Sequence, residues 1–411
     1  MQFDIERELT EKMLFGLAAI GAYGETGVWR PAYSEKWVYA QDQVAEWCRE
    51  AGLHVYRDAA GNVWGRLQGS DDTRVIVTGS HIDTQLPGGR YDGALGVVAG
   101  LVALKTLKDQ FGTPTRTLEV VSFCQEESSR FPSAQMWGSR AVTGDIPAAE
   151  LADEVIGYDG ISIGDAMRDC GLEPEKLLEA VRTDIDVFVE LHIEQGPVLE
   201  EKGLSVAVVQ RINGSRTYRV NVRGRSDHAG ARPMDLRLDP MAGAAEMISG
   251  IIDTAHRMGR PAVTTVGRIQ AEPNLSSIVP ESVMFTINAR HSNKDQGEIL
   301  YSRLESLMHE SAERRGLEVN WEVVARREPK PFDSELVQLF QQVTDDCGIP
   351  SIVMDSAGGH DAGRMADIAR TVMLFVQSEG GRSHTPKEFT AIEHVLAGIR
   401  TLTAGLRRLA Y

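Results

Sequence analysis

Five runs of strand length, each nearly all apolar, recur along this chain: "RVIVTGSH" ending at His81, "LEVVSFCQEE" ending at Glu127, "DVFVELHIEQG", "PSIVMDS" and "TVMLFVQS". A strand with one face in water alternates apolar and polar residues, whereas a continuously apolar strand is covered on both faces. The segments between and after these runs are helical in pattern, among them "GALGVVAGLVALKTLKD", "SAQMWGSRAVTG" and the closing "EHVLAGIRTLTAGLRRL". Strands of this kind interleaved with helices predict an α/β fold built on a largely parallel sheet.

The middle of the chain follows a different rule. In "TYRVNVRGR", Val220 and Val222 alternate with Arg219, Asn221 and Arg223; in "VMFTINAR", Val283, Phe285 and Ile287 alternate with Met284, Thr286, Asn288 and Arg290. Period two marks strands with one wet face. Helical patterns fall at about Pro240 to Met258 and Asp295 to Arg315. At 411 residues the chain exceeds the ~250–300 at which single cores stop growing. The expected organisation is an α+β insertion at 213–327, set into a discontinuous α/β domain formed by 1–212 and 328–411.

Charge and composition exclude several classes. The net charge of −16 is the opposite of the basic face that nucleic-acid binding requires. The longest apolar run, near Ala94 to Leu104, falls short of the ~20 residues that span a membrane. Four widely spaced cysteines without a CxxC fit reduced thiols in a reducing compartment. "MQFDIERELTEKMLFG" carries acids early and has no basic region leading into an apolar stretch, so no signal peptide is expected. A cytoplasmic protein with neither nucleic-acid nor membrane partners is the expectation.

Open α/β sheets bind ligands at the carboxyl ends of their strands. Four of the strand candidates end on side chains that can hold a metal: His81, the pair Glu126 and Glu127, His192, and His384 beyond two glycines. Asp92 follows "GGRY" at the mouth of the next helix. In "VFVELHIE", His192 shares a face with Glu190 and Glu194. Singly, each has an ordinary explanation, as a capped histidine, a solvated turn or an Asp bonded to nearby amides. Three histidines and several carboxylates at one sheet edge point instead to a metal centre. Imidazole with carboxylate and no thiolate suits Zn²⁺, Mn²⁺ or Co²⁺. A carboxylate such as Asp92 can bridge two ions. Adjacent glutamates point opposite ways on an extended backbone, so one can ligate while its neighbour acts as a base.

The elements "GSHIDT", "GGRYDGALGV", "EESSRF", "WGSR", "ELHIEQGPVLE", "DHAGARPMDLRLD", "GGHDA" and "SHTPKE" together resemble the amidase branch of the M20 di-metal hydrolases, from about residue 15 to 409. That hydantoinase/carbamoylase branch contains N-carbamoyl-L-amino-acid hydrolases, allantoate amidohydrolases, ureidoglycolate amidohydrolases and β-ureidopropionases. The resemblance implies two divalent ions per subunit, zinc or manganese, with cobalt and nickel also compatible. One ion would be held by His81 and His192 and the other by Glu127 and His384, with Asp92 bridging. Glu126 would be the general base toward a water at the metals, and Asp83 would orient His81. The inserted domain would be a lid and dimerisation domain pairing two subunits, and His228 would polarise the scissile carbonyl in the partner's active site. Arg290 would take the substrate carboxylate, with Gln195, Asn274 and the backbone at Gly358 as further substrate contacts.

The implied activity is hydrolysis of a carbamoyl or ureido C–N bond in a small carboxylate-bearing substrate. His192 stands where the peptidase branches more often have an acid, which favours this over dipeptide cleavage. Two positions depart from the pattern: Ser215 replaces an amide side chain and Ser277 replaces an Asn, which leaves a wider or differently polar carboxylate pocket. The competing readings are an aminopeptidase or aminoacylase on the same scaffold, and a catalytically silent protein that binds a ureido ligand.

Overall fold

The computed structural model describes residues 3–146 and 152–411. They form two compact units. One runs up to Gln210 and resumes over Phe332–Met354 and Gly359–Tyr411; the other comprises Arg211–Pro331 and Asp355–Gly358.

The first unit is built on a mixed sheet whose centre is parallel. In spatial order, strands Arg370–Val376, Ile185–Ile193, Asp71–His81 and Arg116–Phe123 lie side by side and all run the same way. Their apolar runs are buried throughout: Val75 to Val77, Val187 to Val189 and Val372 to Leu374 are inaccessible to solvent. Antiparallel strands flank this centre. Val63–Leu67 pairs with Arg116–Phe123, and His54–Arg57 pairs with Val63–Leu67 in turn. On the other side Val206–Ile212, whose end already belongs to the second unit, pairs with Arg370–Val376.

The helix Ala94–Phe111 packs on Asp71–His81 and against the helix Ile392–Ala410. Its first eleven residues, Ala94 to Leu104, are buried all round. Among the described residues no helix is long and apolar enough to cross a membrane. The register places His81 opposite Phe123 and His192 opposite Phe375. The segments that follow these parallel strands therefore emerge along one edge.

The second unit has an antiparallel sheet in the order Val263–Thr265, Ser282–His291, Gly214–Arg223, Glu318–Arg327, with Ile269–Glu272 also paired to Ser282–His291. Tyr218, Val220 and Val222 share a buried face with Val283, Phe285 and Ile287. Helices Pro240–Met258 and Lys294–Arg315 cover it through Met247, Ile251, Leu300, Leu304 and Met308. Residues on the opposite face are half-buried or exposed, as period-two alternation requires.

One buried cation ties the amino-terminal segment to a loop at the edge of the main sheet. Arg30 is 1% exposed. Its guanidinium donates to the carbonyl oxygens of Ile82 (2.7 Å), Leu17 (2.6 Å) and Ile20 (2.8 Å). Burial lowers its pKa to about 10, against the opposing pull of Asp83, so it stays charged at neutral pH. Removing the guanidinium leaves buried carbonyl oxygens without a donor, at a cost of about 1–3 kcal/mol for each one left unsatisfied. Arg30→Met is expected to lower the stability of the metal-free protein by about 3 kcal/mol in urea unfolding. A loss below about 1 kcal/mol would mean that the three carbonyls find other partners.

Candidate metal centre

Loops leaving the central strands bring their polar side chains together. His81 is the last residue of its strand, Asp92 sits in the turn before the helix Ala94–Phe111, and Glu126 and Glu127 follow Arg116–Phe123. His192 lies near the end of Ile185–Ile193, and His384 follows Arg370–Val376 beyond a turn at Glu379–Gly381. The donor atoms of His81, Asp92 and His192 lie within 4.8 Å of one another, and so do those of Asp92, Glu127 and His384. Asp92 belongs to both groups. Its Oδ1 is 3.1 Å from His192 Nε2 and 3.6 Å from His81 Nε2, while its Oδ2 is 3.4 Å from His384 Nε2. Glu127 Oε1 is 3.4 Å from the same His384 nitrogen, and Glu126 Oε2 is 3.8 Å from His81 Nε2. All are buried except His384, whose side chain is half exposed.

Main-chain groups aim the rings. His81 Nδ1 lies 3.0 Å from the carbonyl oxygen of Asp83, and His192 Nδ1 lies 3.0 Å from that of Ile193. A carbonyl can only accept, so Nδ1 carries a hydrogen in each ring and Nε2 is the nitrogen turned toward the site, where that of His192 accepts the Gly93 amide at 3.1 Å. Asp83, expected to orient His81, meets that ring through its main-chain oxygen. Its carboxylate stands 3.7 Å from His81 Nδ1 and instead accepts the amides of Glu126 (3.2 Å) and Glu127 (3.0 Å). Those amides lie just past the strand end, where the sheet no longer uses them, and a fully buried carboxylate needs donors. Asp83 contacts His81 through its main-chain oxygen and the amides of the glutamate pair through its side chain.

The loops are held in costly conformations. Gln125 (φ 50°), Gln195 (φ 57°) and His384 (φ 56°) are three of the six non-glycine residues with positive φ among the described residues. Such backbone persists only where its surroundings enforce it, and it gathers at functional sites. Gly93 also has positive φ (66°), and a Cβ there would lie 2.4 Å from the His81 ring. Glycine is what lets the turn pass so close to the imidazole.

The electrostatics call for cations. Burial, and then the neighbouring Asp92, push Glu127 up to about 8. Burial likewise raises Glu126 well above the usual carboxylate range. Burial acts on Asp92 in the same sense, but the His192 and His81 rings outweigh it and hold that carboxyl well below its ordinary value. For His81, burial is outweighed by Asp92, Glu126 and Asp83, and its pKa lies well above 6.5. Carboxylates that raise one another's pKa, opposed by imidazoles and supplied with no thiol, form a nitrogen and oxygen donor set that fits divalent metal ions.

A third group, Glu190, His192 and His360, also lies within 4.8 Å. Glu190 has both oxygens engaged, by the Ser80 hydroxyl (2.7 Å) and the Ala362 amide (2.8 Å). It braces the strand beneath the site. The polar side of "VFVELHIE" is therefore buried, with Asp361 nearby in the chain accepting from Ser139 at 2.5 Å.

The remaining candidates divide by unit. Gln195 is in the first, and its side-chain amide donates to Asp92 Oδ2 at 2.8 Å. Arg290, in the second, donates to Asn288 Oδ1 (2.7 Å) and the Ala357 carbonyl (2.6 Å), and burial lowers its pKa. Gly358 accepts from the Ser356 hydroxyl at 3.0 Å. Asn274 is exposed with φ 55°. His228 is exposed on the short strand Asp227–His228, and its Nδ1 accepts the amides of Gly230 and Ala231, each at 3.1 Å. That fixes the hydrogen on Nε2 and makes His228 a donor. Spacing alone gives no reason to single out Ser383 and Glu388, yet both contact Asp92.

Residues 77–408 match the family described as Peptidase family M20/M25/M40. The chain belongs to this family. Within it, the chain is 39% identical over 396 residues to an allantoate amidohydrolase of Bacillus subtilis (strain 168), covering 96% of each chain. It is 36% identical over 409 residues to an N-carbamoyl-L-amino acid amidohydrolase of Geobacillus stearothermophilus, covering 99% of each. A solved structure of a hydantoinase/carbamoylase family amidase from Burkholderia multivorans superposes with a TM-score of 0.91 at 31% identity, covering 99% of this chain and 98% of that one.

For this M20 member the raised pKa of Glu127 makes metal binding depend on pH. Ligation needs Glu127 ionised, whereas without metal burial and Asp92 push its pKa up to about 8, so that it holds a proton at neutral pH. Metal uptake must release protons. Calorimetric titration of Mn²⁺ into the metal-free protein, in buffers of different ionisation enthalpy, is expected to show net proton release at pH 7. Apparent affinity should fall about tenfold per proton per pH unit between pH 8 and 6. An affinity flat across that range would mean that the ligands are already deprotonated.

Proposed function

We propose that this chain is a hydrolase of carbamoyl or ureido C–N bonds in small carboxylate-bearing molecules, such as N-carbamoyl amino acids or allantoate, working with two divalent cations per subunit. The observation that carries this is Asp92, which turns one oxygen to each of two His/carboxylate groups while Glu126 lies buried beside them. The substrate class follows the relatives, which are named for allantoate and N-carbamoyl amino acids.

His81, His192 and Asp92 would hold one ion, and Asp92, Glu127 and His384 the other; zinc and manganese both accept these donors, as do cobalt and nickel. When bound, such a pair supplies Lewis acidity, lowering the pKa of water from 15.7 toward ~7 and stabilising negative charge on a carbonyl oxygen.

Glu126 does the proton work. It takes a proton from the attacking water as the water oxygen bonds to the carbonyl carbon, and returns it to the nitrogen as the C–N bond breaks. A carbamoyl substrate yields ammonia, carbon dioxide and the free amine. His228, with its hydrogen fixed on Nε2, is suited to donate to the developing oxyanion in a partner subunit's site, a contact worth ~3–4 kcal/mol where one has been removed. Arg290 is assigned the substrate carboxylate, which a planar guanidinium recognises with two parallel hydrogen bonds. Gln195, Asn274 and the backbone at Gly358 are assigned to the rest of the substrate. The second unit is assigned as the lid and dimerisation domain of a cytoplasmic homodimer.

Glu126→Gln removes the base and keeps the shape. It is expected to bind metal as wild type does and to lose at least ~100-fold in kcat; near-full turnover would remove Glu126 from this role. N-carbamoyl amino acids, allantoate, ureidoglycolate, N-acetyl amino acids and dipeptides should be assayed side by side. Release of ammonia from the ureido compounds alone is expected, and faster cleavage of dipeptides or N-acetyl amino acids would assign the site to a peptidase or aminoacylase.

A further inference from the structure

We propose that Glu388 and Ser383 are positioning residues that lock Asp92 as the bridge between the two cation groups, a role that rests on the reading of Asp92 as a shared ligand. Glu388 is 2% exposed. Its Oε1 accepts the main-chain amides of both Tyr91 (2.8 Å) and Asp92 (3.0 Å). The Ser383 hydroxyl lies 2.6 Å from Asp92 Oδ2 and 3.0 Å from Glu388 Oε2, and its single hydrogen is donated to one of the two at a time. These contacts close a ring. Glu388 holds the backbone of Asp92, and the Ser383 hydroxyl sits between the Asp92 side chain and the Glu388 carboxylate.

The glycine before this turn supports the assignment independently. A Cβ on Gly89 would lie 2.1 Å from Glu388 Cδ, 2.1 Å from its Oε1 and 2.5 Å from its Cβ. Gly89 is not among the glycines with positive φ, so its backbone conformation does not call for glycine. The close passage of Glu388 does. Glu388 is also folded back on the His384 loop, where its amide donates to the Thr385 carbonyl at 3.1 Å. One carboxylate therefore couples the loop that carries Asp92 to the loop that carries His384, two of the three ligands assigned to one ion. Gln195 adds a second donor to Asp92 Oδ2. It leaves the backbone of Asp92 untouched, and that is the part only Glu388 reaches from the ligand loop.

The ring predicts a pattern across variants rather than a single loss. Mn²⁺ is titrated calorimetrically into metal-free wild type, Glu388→Ala, Glu388→Gln, Ser383→Ala, Gly89→Ala and the Gly89→Ala/Glu388→Ala double variant, with bound metal measured by elemental analysis. Outer contacts of this kind cost ~10–100-fold in metal affinity when removed. Glu388→Ala is expected to weaken at least one of two binding steps by tenfold or more, and Glu388→Gln by less, since it keeps an oxygen for the two amides. Gly89→Ala should reproduce the Glu388→Ala defect by pushing the carboxylate away, and the double variant should be no worse than Glu388→Ala alone.

The melting temperature of each metal-free variant separates positioning from general support: a purely structural role would lower it and leave the affinities of the folded protein unchanged. Ser383→Ala, which loses only a hydroxyl, keeps the test open should Glu388→Ala not fold. Wild-type affinities for two ions in Ser383→Ala and Glu388→Gln, or defects of Gly89→Ala and Glu388→Ala that add, would overturn the proposal. Wild type binding fewer than two ions would instead overturn the two-cation reading beneath it.

Discussion

The arrangement depends on one carboxylate facing two ways. Asp92 directs Oδ1 to His81 and His192 and Oδ2 to His384, and the rest of the first unit can be understood as what keeps it there. The four parallel strands run the same way and are paired side by side, so the segments that follow them emerge along one edge. The helix Ala94–Phe111, buried at its start, fixes the far side of the Asp92 turn. Burial then raises the stake, since carboxyl groups this close and this shielded repel one another strongly unless positive charge lies between them.

The second unit obeys simpler rules. Its sheet buries one face under two helices and leaves the other wet. The exposed pair Arg219 and Glu322 is typical of that face, and such pairs contribute little to stability. Its first long strand, Gly214–Arg223, lies between Ser282–His291 and Glu318–Arg327 and pairs with both, so period marks these strands but chain order does not give their pairing.

Much of this was legible in the residues because hydrophobic period is a local signal. The apolar runs mark the central strands, the alternation marks the second sheet, and the ends of the runs name His81, Glu127 and His192. What stayed hidden is non-local. The strands His54–Arg57 and Val63–Leu67 are too short to establish a period. Glu190 shares a face with His192, as alternation predicts, but its burial depends on Ser80 and Ala362 from elsewhere in the chain. Glu388 reaches amides nearly three hundred positions away, a contact that leaves no periodic trace. The partners of Asp83 were missed for a related reason: which group a buried carboxylate bonds is decided by the amides that a neighbouring loop leaves unused, and residue type does not reveal it.

Asp83 anchors Glu126 with one oxygen and Glu127 with the other. The residue assigned to proton transfer and the residue assigned to ligation are thus mounted on a common pivot. Any drift of that pivot disturbs both roles at once, so selection acting on this chain has little freedom to adjust ion retention separately from reaction speed. Diversification toward new substrates is left to parts of the protein that the pivot does not touch.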